Sequence, residues 1–355
     1  MRSGALKLDY LSTSEIAARS RGWWEHVLGI VGFARPPAID SEIPVTASMT
    51  PSLDSADNLC EVWRVAGEPE LQLRNGACNG ASHPGRVRYR YCRELLFGSA
   101  TVEERAFDEA GPAGEAAPGC DALSRATAAA YREIFDVLER TEHRHLIRVW
   151  NYLPDINREA HGDERYRRFN SARQAAFRSA GRPTEKSVPA ACALGSPPGS
   201  PISIYFLAAR EPATMIENPR QTSAYHYPRK FGVHSPSFSR ACVLLESGGT
   251  NLFVSGTASI VGCETMHRGN VDAQTRETLA NIEALLGEAN RVVGSARYSL
   301  AGLKLKVYVR RPRDLGAIKR ALAEHLGCAA PVVYLRADVC REELLVEIEA
   351  AGESV

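Results

Sequence analysis

The sequence predicts an α+β protein in which one unit of strands and helices occurs twice. Three observations carry this reading. Strand-like and helix-like segments follow each other in the same order in both halves of the chain. In each half, an apolar strand after the first helix runs into a proline, Pro154 and Pro312. The composition, 44% hydrophobic and 24% charged over 355 residues, is that of a globular chain long enough for one large core or two ordinary ones.

The first eighty residues carry the weakest pattern. Gly, Asn and Pro between 67 and 85 read as loops around short strands, and Trp23, Trp24 and Trp63 read as packing residues. Strand material follows at 86–103. A helix is expected over 120–142, where Leu123, Ala126, Ala130, Ile134 and Val137 recur at three- and four-residue spacing. A strand at 145–153 follows. A polar helix over 163–179 comes next, ended by Gly181 and Pro183, and then two short apolar strands, 190–194 and 202–207, around a Gly/Ser/Pro turn. The second half repeats this: strands within 241–260 around a Gly248-Gly249 turn, a helix over 271–288, a strand at 303–310, a helix over 314–326, and strands at 332–335 and 344–349. In this register Tyr152 falls opposite Arg310, Cys192 near Cys340, and Tyr205 opposite Glu347. The expected units are 1–210, the N-terminal region plus the first copy, and 211–355, the second copy carrying the active site.

Several classes of function are set aside by composition and by missing motifs. A net charge of +1 supplies no basic field for nucleic acid and no polybasic patch for a membrane surface. The apolar run at 27–34 is far shorter than the roughly 20 residues a membrane span needs, and no signal peptide is legible, so a cytoplasmic protein is expected. Nine cysteines without a C-x-x-C pair predict reduced thiols. Cys263 with His267, and His143 with His145, lack the second pair a zinc site needs. No nucleotide, α/β-hydrolase or metalloprotease motif is present, so neither a cofactor nor a metal is expected.

The candidate chemistry lies in two places. The last strand alternates Leu344, Val346 and Ile348 with Leu345, Glu347 and Glu349, so one side reads as core and both acids point the other way. Acids on a sheet face are ordinarily solvated, but Leu345 beside Glu347 indicates that this face is at least partly covered. Desolvation would then raise the acid's pKa, as a general acid near neutral pH requires. The second place is 217–229, a stretch without hydrophobic period. There Asn218, Arg220 and Gln221 offer planar donors for an oxygen-rich anion, with Tyr225 and Tyr227 to stack or donate. Arg310, at a strand exit beside Arg311, offers a guanidinium fork for a carboxylate. Cys340 reads as a buried thiol distinguished by its nearness to Glu347.

Three stretches, E-N-P-R-Q-T-S-A-Y-H-Y-P at 217–228, F-V-S-G-T-A-S-I-V-G at 253–262 and A-D-V-C-R-E-E-L-L-V-E-I-E at 337–349, resemble the chorismatase family. The resemblance covers about 151–349. It implies a fold similar to RidA-like proteins and AroH-type chorismate mutases, with two such units fused and helices packed outside mixed sheets. It also implies an enzyme that releases the enolpyruvyl group of chorismate as pyruvate with no cofactor or metal. By resemblance Glu347 is the acid that protonates the enol ether, and Arg220 and Arg310 meet the two substrate carboxylates. Gln221, Asn218 and Tyr225 assist them, while Ser255 and Gly256 line the same cleft. Aromatising members carry a cysteine and a glycine where this chain has Cys340 and Gly256, which favours 3-hydroxybenzoate as product. The alternatives are hydrolysis to a dihydroxycyclohexadiene carboxylate, a mixture of 3- and 4-hydroxybenzoate, and a non-catalytic small-acid binding module. If the N-terminal region completes the ring that relatives build from three chains, the protein is a monomer.

Overall fold

The computed structural model describes residues 5–39, 43–54, 59–66, 73–80, 83–107, 121–246, 249–326 and 331–354. The helix start expected at 120, part of the turn at 248–249, part of the loops expected between 67 and 85, and residues 1–4 lie outside these. The structure has the α+β architecture the sequence predicts, with mixed sheets and the long helices packed on their outer faces.

The first sheet contains β1 (Ala5–Ser12), β2 (Val27–Gly32), β3 (Val45–Ala47) and β4 (Leu59–Ala66) in the order β1-β4-β2-β3. The second contains β5 (Arg74–Gly80), β6 (His83–Tyr91), β7 (Leu95–Val102), β8 (His145–Pro154), β9 (Ala190–Ser196) and β10 (Ile202–Ala209), ordered β5-β6-β7-β10-β8-β9. Helices α1 (Ala122–Thr141) and α2 (Arg165–Ser179) flank β8 in sequence. The third repeats this with β11 (Thr214–Ile216), β12 (Ala241–Glu246), β13 (Gly249–Thr257), β14 (Leu303–Val309), β15 (Val332–Arg336) and β16 (Val346–Ser354), ordered β11-β12-β13-β16-β14-β15. Its helices are α3 (Val271–Val293) and α4 (Leu315–Leu326). Caps delimit the helices: the Asp121 side chain accepts from Ser124 N ahead of α1. Asn270 does the same for Ala273 N ahead of α3, which stops at Gly294 in the left-handed region (φ +71°).

The N-terminal region, unclear from sequence, carries the same inner pattern. In each sheet one strand (β2, β8 or β14) pairs parallel to an edge strand (β3, β9 or β15) and antiparallel to the chain's later strand (β4, β10 or β16). The first sheet is thus a reduced third copy, with short helices at Thr13–Ala17 and Arg21–Trp24 where the others have a long one. Its missing helices explain its weak sequence signal, because no long 3.6-residue period exists there to be read. Within the span 67–85, expected as loops around short strands, residues 74–80 form β5 and 83–85 begin β6, which continues into the strand material expected from 86.

Two cores separate inside from outside. Val346, Ile348 and Ala350 of β16 pack with α3 and α4 residues, while Leu123, Ile134 and Val137 of α1 pack with β7 and β10. A central core joins the inner faces of all three sheets through Trp63, Phe97, Trp150, Tyr205, Phe253 and Tyr308. Residues pointing inward from β16 therefore meet protein rather than water.

Candidate active site

Alternation along β16 sends Glu347 and Glu349 inward, opposite the helix-facing side chains. Glu347 sits across from Tyr308 of β14 and is 3% exposed. The cover expected over this face is the neighbouring sheet. Burial, followed by the charge of Glu349, raises the Glu347 carboxyl to about 8, against the partial opposing pull of Arg148, Arg310 and Arg240. Among the described residues no ion pair reaches it.

Glu347 fits because β13 is irregular beside it. The register slips between Val254 and Thr257, so that Ser255 and Gly256 form a bulge against β16. A Cβ on Gly256 would lie 1.9 Å from Glu347 Oε1 and 3.0 Å from the Cys192 Cβ. The glycine is required for space, letting the carboxyl rest on the backbone. Ser255 faces away from the opening: its hydroxyl donates to Ser239 O (2.6 Å) and accepts from Ala191 N (2.9 Å), stitching the third sheet to β9.

Glu347 closes a cleft between the second and third sheets. The inner part, about 380 Å³, is walled by Asn151, Tyr166, Asn170, Arg173 and Cys192 from the first copy and by Gly256, Cys340 and Glu347 from the second. The outer part, about 600 Å³, shares Tyr166, Gly256, Cys340 and Glu347 and adds Arg167, Tyr227, Phe231, Arg240 and Arg341. Burial, then Glu347, pushes the Cys340 thiol up to about 12, so it stands in the cleft as a neutral thiol rather than a nucleophile. Three arginines have spare donors here. Arg173 spends Nε on Tyr131 Oη (2.7 Å) and Nη1 on Ser237 O (2.6 Å), while Nη2 is buried without a protein partner. Arg240 Nε and Arg341 Nη2 are in the same condition. Buried donors left open in a cleft match a ligand that brings acceptors.

Residues 72–208 match the family model described as chorismatase FkbO/Hyg5-like, N-terminal. A 3-hydroxybenzoate synthase of Streptomyces hygroscopicus is 36% identical, with 91% of each chain covered. A chorismatase of the same species is 41% identical over 92% of this chain and 89% of its own. The chain belongs to the chorismatase family. A crystal structure of a chorismatase superposes on it with a TM-score of 0.81 at 31% identity, covering 99% of both chains.

Within this chorismatase fold, several residues singled out from the sequence lie elsewhere. Arg220 binds Glu277 (2.5 Å) and Asn281 Oδ1 (2.6 Å) on α3. Asn218 donates to Asn281 O (2.9 Å) and Gln221 to Ile260 O (2.9 Å). The aperiodic stretch is therefore pinned to α3 and to 258–262, and its planar donors are consumed internally. Tyr225 stands edge-on to His226 at 4.7 Å and is not among the cleft walls, whereas Tyr227 is. Arg310 gives Nε to Leu344 O (2.7 Å), Nη1 to Asp338 (2.7 Å) and Nη2 to Val339 O (2.8 Å) and Arg341 O (3.0 Å). It clasps the loop that carries Cys340 and has no fork left for a carboxylate. Glu347, Cys340 and Gly256 come together as expected, but half of the cleft belongs to the first copy. Arg173, Arg240 and Arg341 were missed because a free guanidinium leaves no period or motif. Among the described residues no group of three or more His, Cys, Asp or Glu is placed to hold a metal, and no helix is long and apolar enough to cross a membrane.

Proposed function

We propose that this chain converts chorismate to 3-hydroxybenzoate and pyruvate, with Glu347 as the general acid. The observation that carries the reading is a buried carboxyl raised to about 8, standing between Gly256 and Cys340 at the floor of a cleft with open arginine donors. Chorismate brings two carboxylates, and their charges push Glu347 further toward its protonated form as substrate binds. Glu347 gives its proton to the enolpyruvyl methylene carbon, and the double-bond electrons form the new C–H bond. The ether carbon becomes an oxocarbenium ion, which the arginine-held pyruvyl carboxylate stabilises.

In this reading Arg173, Arg240 and Arg341 hold the substrate carboxylates, in place of the Arg220 and Arg310 that the resemblance implied. The aromatising route needs no added water, since chorismate contains every atom of both products. In it the ring hydroxyl oxygen bonds to the neighbouring ring carbon as that carbon's C–O bond to the pyruvyl group breaks. The hydroxyl proton returns to Glu347, and pyruvate leaves with the ether oxygen as its keto oxygen. Opening of the resulting epoxide with transfer of the ring C–H proton to the oxygen makes the ring aromatic. Cys340 and Gly256 shape the space beside the ring, and the similarity to a 3-hydroxybenzoate synthase supports this product over the diene diol. We read 1–210 and 211–355 as the two main units, and the protein as a cytoplasmic monomer in which the reduced N-terminal copy takes the place of a third chain.

The deciding experiment mixes purified protein with chorismate and follows pyruvate with lactate dehydrogenase and the product by chromatography. Pyruvate with 3-hydroxybenzoate is expected. Pyruvate with a non-aromatic diol would replace the aromatising reading by the hydrolytic one, and no pyruvate would leave a binding module.

A further inference from the structure

At the junction of the three sheets lies a set of buried charges that the reaction does not touch. Lys306 Nζ binds Glu61 Oε2 (2.6 Å), Glu349 Oε1 (2.5 Å) and Tyr205 Oη (2.9 Å), which uses all three ammonium donors. Glu349 also accepts from Arg148, from Trp150 Nε1 (2.9 Å) and from Tyr308 Oη (3.0 Å). The four charged side chains are each no more than 3% exposed and sum to zero: Glu61 and Glu349 against Lys306 and Arg148. They come from β4, β8, β14 and β16, one strand or more from each sheet.

Glu349 is two residues from Glu347 on the same face of β16. The cluster places an ionised carboxylate there, paired directly with Lys306 and Arg148. We propose that Glu349, held by Lys306 and Arg148, is a positioning residue for the reaction, acting through Glu347 to keep that carboxyl protonated at neutral pH. Burial opposes ionisation of Glu349, but Lys306 and Arg148 overcome it and hold it below the usual carboxylate range. The pair therefore divides into one ionised and one protonated acid.

Other titratable and charged groups also face Glu347. Tyr308 and Arg310 approach from β14 and its exit, Arg148 from β8 and Cys192 from β9. Tyr166 and Arg173 come from α2, Arg240 from the entry to β12, and Cys340 with Arg341 from the loop before β16. Arg310 is committed to carbonyls and Asp338, and burial keeps the tyrosines and thiols neutral. Glu164 lines the outer part of the cleft, where burial raises its own carboxyl, and Glu349 is the anion on Glu347's own strand face.

The inference rests on Glu347 being the acid, and the test separates the two. The alkaline limb of kcat/KM for pyruvate release is measured in Glu349→Gln, Glu61→Gln and Glu347→Gln, each checked for folding by circular dichroism. Unit charges roughly 7 Å apart at an effective dielectric of about 20 move a pKa by on the order of one to two units. Glu349→Gln should move the limb down by that amount with activity recovering at low pH, and Glu61→Gln should move it less in the same direction. A loss equal at every pH with the limb in place would overturn the proposal; if Glu349→Gln does not fold, an unmoved limb in Glu61→Gln does so. Pyruvate release by Glu347→Gln would instead remove the acid on which the proposal stands.

Discussion

Replacing Glu347 with Gln should make the protein more stable as pH rises, while abolishing turnover. In the unfolded chain the carboxyl ionises near its ordinary value of 4.5, but in the fold it stays protonated to about 8. A folded pKa above the unfolded one gives a contribution that is fully present below pH 4.5 and is lost as pH rises through 8. Each pH unit in that window costs about 1.4 kcal/mol. Allowing for partial ionisation at both ends, the wild type loses about 3.5 kcal/mol between pH 5 and pH 8 from this one group. Glutamine does not titrate, so the variant loses none of it. Urea unfolding of both proteins at pH 5 and pH 8 measures the difference of differences, in which any pH-independent effect of the amide cancels. A gap between variant and wild type that does not widen toward pH 8 would refute the raised acid, and the catalytic argument with it.

Other substitutions probe the walls of the cleft. Gly256→Ala puts a methyl where the Glu347 carboxyl lies, and a shift of about 1 Å there should lower kcat/KM for pyruvate release about 100-fold; a wild-type rate would mean the contact is not made. Arg173→Met should raise KM about tenfold or more, as loss of a charge-assisted hydrogen bond to substrate requires. Arg220→Met should leave KM unchanged and instead lower the unfolding midpoint, since it removes the link from the 217–229 stretch to Glu277 and Asn281 of α3. Cys340→Ala should shift the product toward the non-aromatic diol, and an unchanged chromatographic ratio would remove the thiol from the choice of product.

Much of the scaffold was readable because it follows local rules. The helix over Ala122–Thr141 shows its apolar stripe, and β8 and β14 are apolar runs ending near prolines. The reduced N-terminal copy was not readable, since short strands without long helices leave no sustained period. Which arginines have donors left unfilled was not readable for a different reason. Arg220 and Arg173 are alike in sequence, each among polar neighbours; what separates them is that Glu277 and Asn281 happen to face the first, while one nitrogen of the second faces open space.

The sequence alone determined the repeated strand-and-helix order, the inward face of Glu347 and Glu349, and the motifs around Gly256 and Cys340. These depend on alternation and neighbours along the chain. Tertiary structure decided that the inward face is covered by another sheet, that the cleft draws on both copies, and which arginines have donors left to give. Desolvation and hydrogen-bond satisfaction are set by atoms distant in sequence: Glu349 meets Arg148 across 201 positions and Lys306 meets Glu61 across the molecule. No local pattern in the chain encodes such a meeting.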